Sequence, residues 1–531
     1  MSKWHSLLEF MQFPLKILFL ATVLLGVGSA IINPNVAFLW SVTNQNIIRT
    51  SEMFRYIGAF LINIFPVLVY LKVLSKKFED SVPVIVGVIA YLLINISMTF
   101  FLDTTFPSYF YKEVLGISIN FDVLPISGSG IVDPYNMGIF SLVISYFITM
   151  KCYQHSRHHS VYGIFSFIDH DAWAVITILI LSVVSGVALA FIWPYIIQGL
   201  NLFFDLIAKD ITNPINLMLY GMFERISAIL GLVDIPRNIF WFTSSGGTWM
   251  NEVGLNFFGD VAIWTAQKAH GVQATTTGGF ITPYYVINLF IIPAFYIAYY
   301  SLCTSRKDRG RYWLFFLLAI LISVFCGNPL PAEFLILLLS PMLYGFYIVI
   351  VGLLYAFLHI FNVIIGYNFS DALLFANPGA GLDLIQYFRS AYVLPSLMKM
   401  LIIGLGAAIL FVFLTRAYFS KYAFGLFQFV DKEKTTNEII NALGGIDNII
   451  DAQSTPDKLT VELKNRELID YAVLQSYGAY LILEAKGGYL IRLGNMSTII
   501  RNEILHRSKS VAELNQRKKL RVRKRNKAEE A

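Results

Sequence analysis

The sequence predicts a polytopic α-helical membrane protein with about ten transmembrane or re-entrant segments, followed by a small C-terminal cytoplasmic α/β sandwich domain. Three observations predict it. Of the 531 residues, 56% are hydrophobic and 14% charged, with a mean hydropathy of +0.63, too apolar for a soluble chain of this length. Apolar runs of membrane length recur from Phe13 to Leu414, separated by polar or basic turns. After Lys421 the composition turns polar, and short helical and strand-like patterns alternate. The net charge of +6 is concentrated in the tail after His506, so there is no basic globular surface and no nucleic-acid partner is expected. Cys152, Cys303 and Cys326 lie in or beside apolar segments without metal-ligand spacing, and neither a metal nor a cofactor is expected.

Phe13 to Ile32 is the first expected span; it lacks a small-residue cleavage site, so no cleavable signal peptide is expected. Tyr56 to Leu74 is the second, closed by Lys76 and Lys77, and Val82 to Leu102 the third. The loop from Asp103 to Asp133 carries Lys112 as its single Lys or Arg, which places it outside and the Lys76–Lys77 turn in the cytoplasm. Tyr135 to Met150 returns the chain to a basic stretch with Lys151 and Arg157. His155, His158 and His159 in that stretch suggest a metal site, but the carboxylates nearby, Asp169 and Asp171, open the next span, and cytoplasmic orientation fits better. Trp173 to Tyr195 is a span ending in the interfacial anchor Trp193, Pro194 and Tyr195. Asn201 to Leu232 mixes apolar residues with Asp205, Lys209, Asp210, Glu224 and Arg225 and reads as an amphipathic or core-facing helix pair broken near Pro214. Glu224 and Arg225, adjacent in sequence, point to different parts of a helix surface and are not expected to pair.

Thr243 to Thr282 is a long Gly-, Thr- and aromatic-rich connection, the kind that carries function. Tyr284 to Leu302 and Tyr312 to Cys326 flank the basic loop Ser305 to Arg311, assigned to the cytoplasm. Next comes a proline-broken interruption, Gly327, Asn328, Pro329, Leu330, Pro331, Ala332 and Glu333, between two long apolar runs. A carboxylate near the bilayer core is costly by a few kcal/mol and faces a cavity, a substrate or a partner; a surface loop with a solvated Glu333 is the plainer reading. Glu333 is expected to line a ligand cavity with Gly278 and Gly279, whose backbone amides approach a ligand closely, or else to pair with a buried cation such as Arg225. The last span runs from Leu397 to Leu414. With the Arg306 loop and the C-terminus both cytoplasmic, the spans between them must be even in number. Three simple apolar runs present themselves, so the segment around Pro329 to Pro331 is expected to be re-entrant or split.

Beyond a charged linker, Asn437 to Leu443 has helical periodicity ending at Gly444 and Gly445, a C-cap signal. Leu459 to Leu463 alternates as a strand, Glu467 to Gln475 reads as a helix, Tyr480 to Glu484 and Tyr489 to Leu493 as strands, and Ser497 to Leu505 as a closing helix. The tail, with Arg517 to Lys519 and Arg521 to Arg525, is a basic arm, either simply solvated or drawn to anionic lipid.

Several of these segments together resemble the bacterial phosphoenolpyruvate-dependent sugar phosphotransferase system, glucose superfamily, with its membrane IIC domain joined to a cytoplasmic IIB domain. The carriers are Leu24 to Gly28, Gly278 to Phe280, Gly327 to Phe334, Ser340 to Tyr344, Ala442 to Gly445, Asp447 to Ile449, and Gly494 with Ile499 to Ile504. The resemblance reaches to about Leu505 and implies a IIC-like domain over 1–425, a linker over 426–434, a IIB-like domain over 435–506 and a tail over 507–531. It implies a multi-pass protein of the bacterial plasma membrane that takes up a sugar, forms a homodimer and has a IIA or separate IIB protein as partner.

Family members transfer phosphate to the sugar from a IIB cysteine, since a phosphothiolate keeps high transfer potential. Here Gln453, after Asp451 and Ala452, stands where the resemblance places that cysteine, and no cysteine follows Cys326. Phosphate esters of Ser454 or Thr455 would be poor donors. The family's membrane-site histidine corresponds to Asp234, and of its two glutamates only Glu333 is retained. The candidate substrate-binding set is Glu333, Asp234, Glu224, Thr277, Gly278 and Gly279, and no catalytic residue is assigned. Three functions fit: a sugar permease of this system, perhaps supplied with phosphate by a separate IIB protein; a phosphotransfer-dead relative acting as facilitator or sensor; or a membrane interaction protein without a sugar ligand.

Overall fold

The structure is a computed structural model that describes residues 2–33, 42–78, 81–102, 119–120, 131–156, 170–272, 277–303, 306–367, 378–421, 432–455, 458–477, 479, 481–485, 488–493 and 496–507. Most of the expected external loop, His158 and His159, Ser305, the linker up to Asp431 and the basic tail lie outside the described residues. The chain divides into two compact units. The larger is Phe10–Leu74 with Ser81–Phe424, and the smaller is Gly425–Ala531 with Met1–Glu9 and Ser75–Asp80.

The larger unit is helical. Its elements are α1 (Ser2–Ile31), α2 (Gln45–Asn63), α3 (Phe65–Phe78), α4 (Val82–Thr99), the two-residue strands β1 (Ile119–Asn120) and β2 (Ile131–Val132), α5 (Ile139–Ser156), α6 (His170–Ala208), α7 (Pro214–Leu230) and α8 (Asp234–Phe242). They continue with β3 (Thr248–Met250), β4 (Asn256–Phe258), α9 (Asp260–Ala269), α10 (Thr282–Val286), α11 (Ile292–Ser301), α12 (Arg306–Cys326), α13 (Leu330–Leu339), α14 (Pro341–Ile360), α15 (Gly381–Leu384) and α16 (Leu394–Lys421). Among the described residues, six helices are long and apolar enough to cross a membrane, or seven with the bent pair α2–α3 taken as one span. This is a multi-pass helical membrane protein. Two further expected spans are short apolar helices, Tyr312–Cys326 and Leu330–Leu339.

Several boundaries differ from the sequence reading, each for a local reason. The second span is two helices bent by 47°, because Pro66 has no amide to donate and its ring would crowd the carbonyl four residues back. The fourth begins at Ile139 instead of Tyr135, since Asn136 Oδ1 accepts the Gly138 amide at 2.9 Å and forms a turn first. Trp193, Pro194 and Tyr195 do not end a span: α6 runs 39 residues straight through Pro194, roughly 58 Å at 1.5 Å per residue, about twice the bilayer core. A proline costs a helix one hydrogen bond, which membrane helices tolerate. The expected connection from Thr243 to Thr282 is folded, with β3 and β4 paired as an antiparallel hairpin ahead of α9.

Helix packing relies on small residues. α4 packs on α6, where Gly186 brings the backbones so close that a Cβ there would lie 2.0 Å from Ser97 Oγ. α7 packs on α14, with Gly352 facing Met218 and Met222. Without a hydrophobic drive between helices in lipid, such close approach supplies the van der Waals contact that holds them.

The smaller unit holds α17 (Lys432–Ala442), β5 (Ile449–Ser454), β6 (Lys458–Leu463), α18 (Tyr471–Ser476), β7 (Leu481–Ala485), β8 (Gly488–Arg492) and a closing helix α19 over residues 496–507. The sheet is antiparallel in the order β5-β6-β8-β7. Leu459, Val461 and Leu463 alternate inward along β6 and join Ile439, Leu443, Leu474, Ile491 and Ile500 in one core. Gly444 and Gly445 carry positive φ after α17, as the C-cap signal predicts. The single helix expected from Glu467 to Gln475 is divided, because Asp470 Oδ1 caps α18 by accepting the Val473 amide at 3.0 Å. β5 was not expected: Asp451, Gln453 and Ser454 give it a polar sequence, which an edge strand tolerates.

Candidate functional site

The site is built on α7. Asn213 Oδ1 accepts the Ile215 amide at 2.9 Å and Pro214 sits at the first turn, so the helix starts with its orphan donors served. Leu217, Tyr220, Gly221, Glu224, Arg225 and Ala228 recur at helical spacing and form its buried stripe. Glu224 and Arg225 therefore lie on the same buried face, and contrary to the sequence expectation they pair. A stripe about 100° wide holds two consecutive residues, and the long Arg225 side chain folds back so that its Nε donates to Glu224 Oε2 at 2.8 Å. Its Nη2 also contacts Glu224.

The remaining donors of Arg225 connect three other elements. Nη1 donates to Glu333 Oε1 on α13 at 2.9 Å, and Nη2 to the Tyr284 hydroxyl on α10 at 3.1 Å. Tyr284 in turn contacts Glu224 Oε1. Arg237 on α8 donates from Nε to Glu224 Oε1 at 3.0 Å. From α14, Tyr347 donates to Glu333 Oε1 at 2.5 Å and Tyr344 to the Arg225 carbonyl at 2.8 Å. Two carboxylates and two guanidinium groups thus form a charge-balanced network; Glu224 and Glu333 are fully buried and Arg237 keeps 13% of its side chain exposed. Pairing this complete answers the desolvation cost of burying charge. One acceptor is left over, since Glu333 Oε2 is buried without a hydrogen-bond partner.

The positioning of Glu333 follows from the broken backbone. α12 ends at Cys326, Gly327 takes φ +65°, and α13 restarts at Leu330 with Pro331 in its first turn. α13 is 10 residues long, about 15 Å, half of a bilayer core. Ser340 then breaks the chain again, its Oγ accepting the Leu343 amide at 3.2 Å to start α14.

Asp234 touches this network by charge, through Arg237 one turn along α8. It is an exposed residue in the first turn of α8 and lines a cavity of about 90 Å³ with Asn63, Asn136, Leu330 and Phe334. A second, apolar cavity of about 310 Å³ shares Phe65, Pro66, Leu142, Ile229 and Phe334 with it. Four chain breaks meet here: the α2–α3 bend, the start of α5, the α7–α8 turn and the start of α13. The ring of Phe334 stands 4.7 Å from that of Phe65. As neighbours on one helix turn about 100° apart, Glu333 serves the ion network and Phe334 the cavity wall.

Thr277, Gly278 and Gly279 form a separate cluster. The Gly278 amide donates to Asp260 Oδ1 at 2.6 Å, Thr277 Oγ1 to Gln267 Oε1 at 3.0 Å, and Thr282 Oγ1 to the Gly278 carbonyl at 2.8 Å. Burial pushes the Asp260 carboxyl up to about 7, against the lowering pull of the amides at Gly278, Phe280 and Gly279. The Gly278 amide is thus engaged by a carboxylate of the protein, and neither Glu333 nor the glycine pair lines the two cavities described above. The cluster lies close to the ion network: the Phe280 ring lies 4.6 Å from Tyr220 on α7, and Tyr284 follows one turn later on α10.

The sequence reading singled out Glu333 and Glu224 and weighed Arg225 as a partner; it missed Arg237, Tyr284, Tyr344, Tyr347 and Asp260. Tyr344 and Tyr347 had a signal, two hydroxyls at i and i+3 in an aliphatic helix. Arg237 and Asp260 had none beyond a charge near an apolar run.

No protein-family model matches the chain. Among solved structures the chain is similar to the crystal structure of the transporter ChbC, the IIC component from the N,N'-diacetylchitobiose-specific phosphotransferase system, at 12% sequence identity and a TM-score of 0.29, with 77% of this chain and 95% of that chain covered.

Proposed function

We propose that the chain is a sugar permease of the phosphotransferase type, with a IIC-like membrane domain of the glucose superfamily and a IIB-like C-terminal unit that does not phosphorylate the sugar by itself. The observation that carries this reading is the cavity where four chain breaks meet, lined by Asp234 and by Leu330 and Phe334 of α13, beside the buried, charge-balanced network of carboxylates, guanidinium groups and tyrosines around Glu333. Carboxylate and guanidinium together supply the acceptors and donors that polyols need, and the half-length helices around them are the kind of broken backbone that lines a solute site at membrane depth. Asp234, Asn63 and Asn136 add polar groups at the neighbouring cavity. The resemblance of Gly327 to Phe334 and of Gly278 to Phe280 to the family supports the same reading.

A second reading has its own support: the absence of any cysteine after Cys326, and Asp234 in place of a histidine, favour a relative that passes or senses a solute without phosphorylating it. One experiment addresses both. Thermal unfolding of the purified chain in detergent is followed with a panel of mono- and disaccharides, and uptake is then measured in proteoliposomes. At least one sugar should raise the melting temperature, and Asp234→Asn should reduce that shift while melting normally without sugar. Uptake without added phosphotransfer proteins supports the second reading. No stabilisation by any sugar removes both.

A further inference from the structure

Between α11 and α16 runs an apolar groove of about 910 Å³, the upper end of the size range of ligand sites. Its origin is local. α16 meets the turn just before α11 where Gly404 faces the ring of Phe290, and farther along Ala294, Ala408 and Ala417 are too small to close the space between the two helices. Leu405, Ile409 and Phe413 remain 56%, 71% and 73% exposed along it. One end differs: Arg416, exposed, and Ser420 stand at the mouth, and among the described residues no acidic one lines the groove.

We propose that this groove is a binding site for one anionic phospholipid, an acyl chain lying along α16 and the headgroup phosphate meeting Arg416. The dimensions agree. From Leu405 to Arg416 the helix rises about 16 Å at 1.5 Å per residue, matching the roughly 15 Å depth of one leaflet's hydrocarbon, so a chain fits beneath a headgroup held at Arg416. The charge decides between occupants. A second copy of this protein docking symmetrically would bring another Arg416 to a face without a carboxylate, which is repulsive. A phosphate on a lipid is the complementary group, and a basic side chain at the membrane surface favours anionic lipid by about fivefold.

The test uses the full chain, purified and delipidated, with native mass spectrometry after adding phosphatidylglycerol or phosphatidylcholine. Wild type should retain one phosphatidylglycerol in preference to phosphatidylcholine. Arg416→Gln, a change on the surface that leaves the groove open, should lower phosphatidylglycerol occupancy about fivefold and leave phosphatidylcholine unchanged. Ala408→Trp, whose ring fills the groove, should lower both. Equal retention of the two lipids by wild type overturns the proposal, as does undiminished phosphatidylglycerol in Arg416→Gln. Lipid-free dimerisation that Ala408→Trp abolishes also overturns it, by making the groove a face between copies.

Discussion

Glu333 shows how far a single residue can be read from sequence. A carboxylate beside Pro331 and ahead of a long apolar run has to find polar company, and that much was legible. Which company it finds depends on where α7 is placed, 108 positions away, and no local pattern fixes that. The pairing with Arg225 changes the expected cost of substitution. Glu333→Gln removes half of the negative charge that balances Arg225 and Arg237 in a buried setting, so it should destabilise the protein by about 3 kcal/mol, the lower end for a broken buried pair because Glu224 remains. Arg225→Gln leaves two buried carboxylates facing Arg237 alone and should cost about 5 kcal/mol. Tyr347→Phe removes one hydrogen bond to a charged acceptor and should cost about 1.5–3 kcal/mol. Reversible unfolding of the two single variants and the double variant measures the coupling. Strictly additive losses at Glu333 and Arg225 would show that the pair does not act as one unit.

At the scale of elements, helices and strands with a regular apolar period were legible, and breaks were legible where a proline or glycine cap marked them. Pro331 and Gly444 announced themselves, whereas Pro194 promised an end to a helix that continues. The polar edge strand β5 was hidden because its pairing with β6, not its own composition, makes it a strand. The segment from Thr277 to Thr282 offers a sharp test. Gly278 has φ +99°, and a Cβ on it would lie 3.0 Å from the Gly366 amide; Gly279 has open space around it. Gly278→Ala should therefore destabilise by about 1–3 kcal/mol, and Gly279→Ala should stay within about 0.5 kcal/mol. Equal effects would mean that the turn is not held by Asp260 in this conformation. For the C-terminal unit, the expected outcome of incubating the full chain with phosphoenolpyruvate and the general phosphotransfer proteins is an unchanged intact mass. Gln453 lies on β5 and has no nucleophilic atom to accept phosphate. A stable gain of one phosphate within residues 432–507 would defeat the proposed division of labour.

At the scale of the whole molecule, the open question is one of parity. The basic residues Arg309 and Arg416 and the Arg- and Lys-rich sequence past residue 507 argue for one side of the membrane by the positive-inside rule. That requires an even number of crossings between the loop before α12 and the end of α16. α14 and α16 are full-length spans and supply two. α12 and α13 must then add an even number, which they do if α13 turns back at Gly327 and returns toward the side from which α12 entered. The lengths favour this: the apolar part of α12 is Tyr312–Cys326 and α13 adds Leu330–Leu339, about 22 Å and 15 Å at 1.5 Å per residue, neither enough for the ~30 Å core alone. A re-entrant pair also places Glu333 at depth, where the Arg225 network meets it. In a cysteine-free background, Gly310→Cys at the start of α12 and Thr460→Cys on the exposed face of β6 report the two ends. Both should resist a membrane-impermeant maleimide added to intact cells and react once the cells are opened. Labelling of one of them and not the other from outside would mean an odd number of crossings between them, and the turn at Gly327 would no longer be explained as a return.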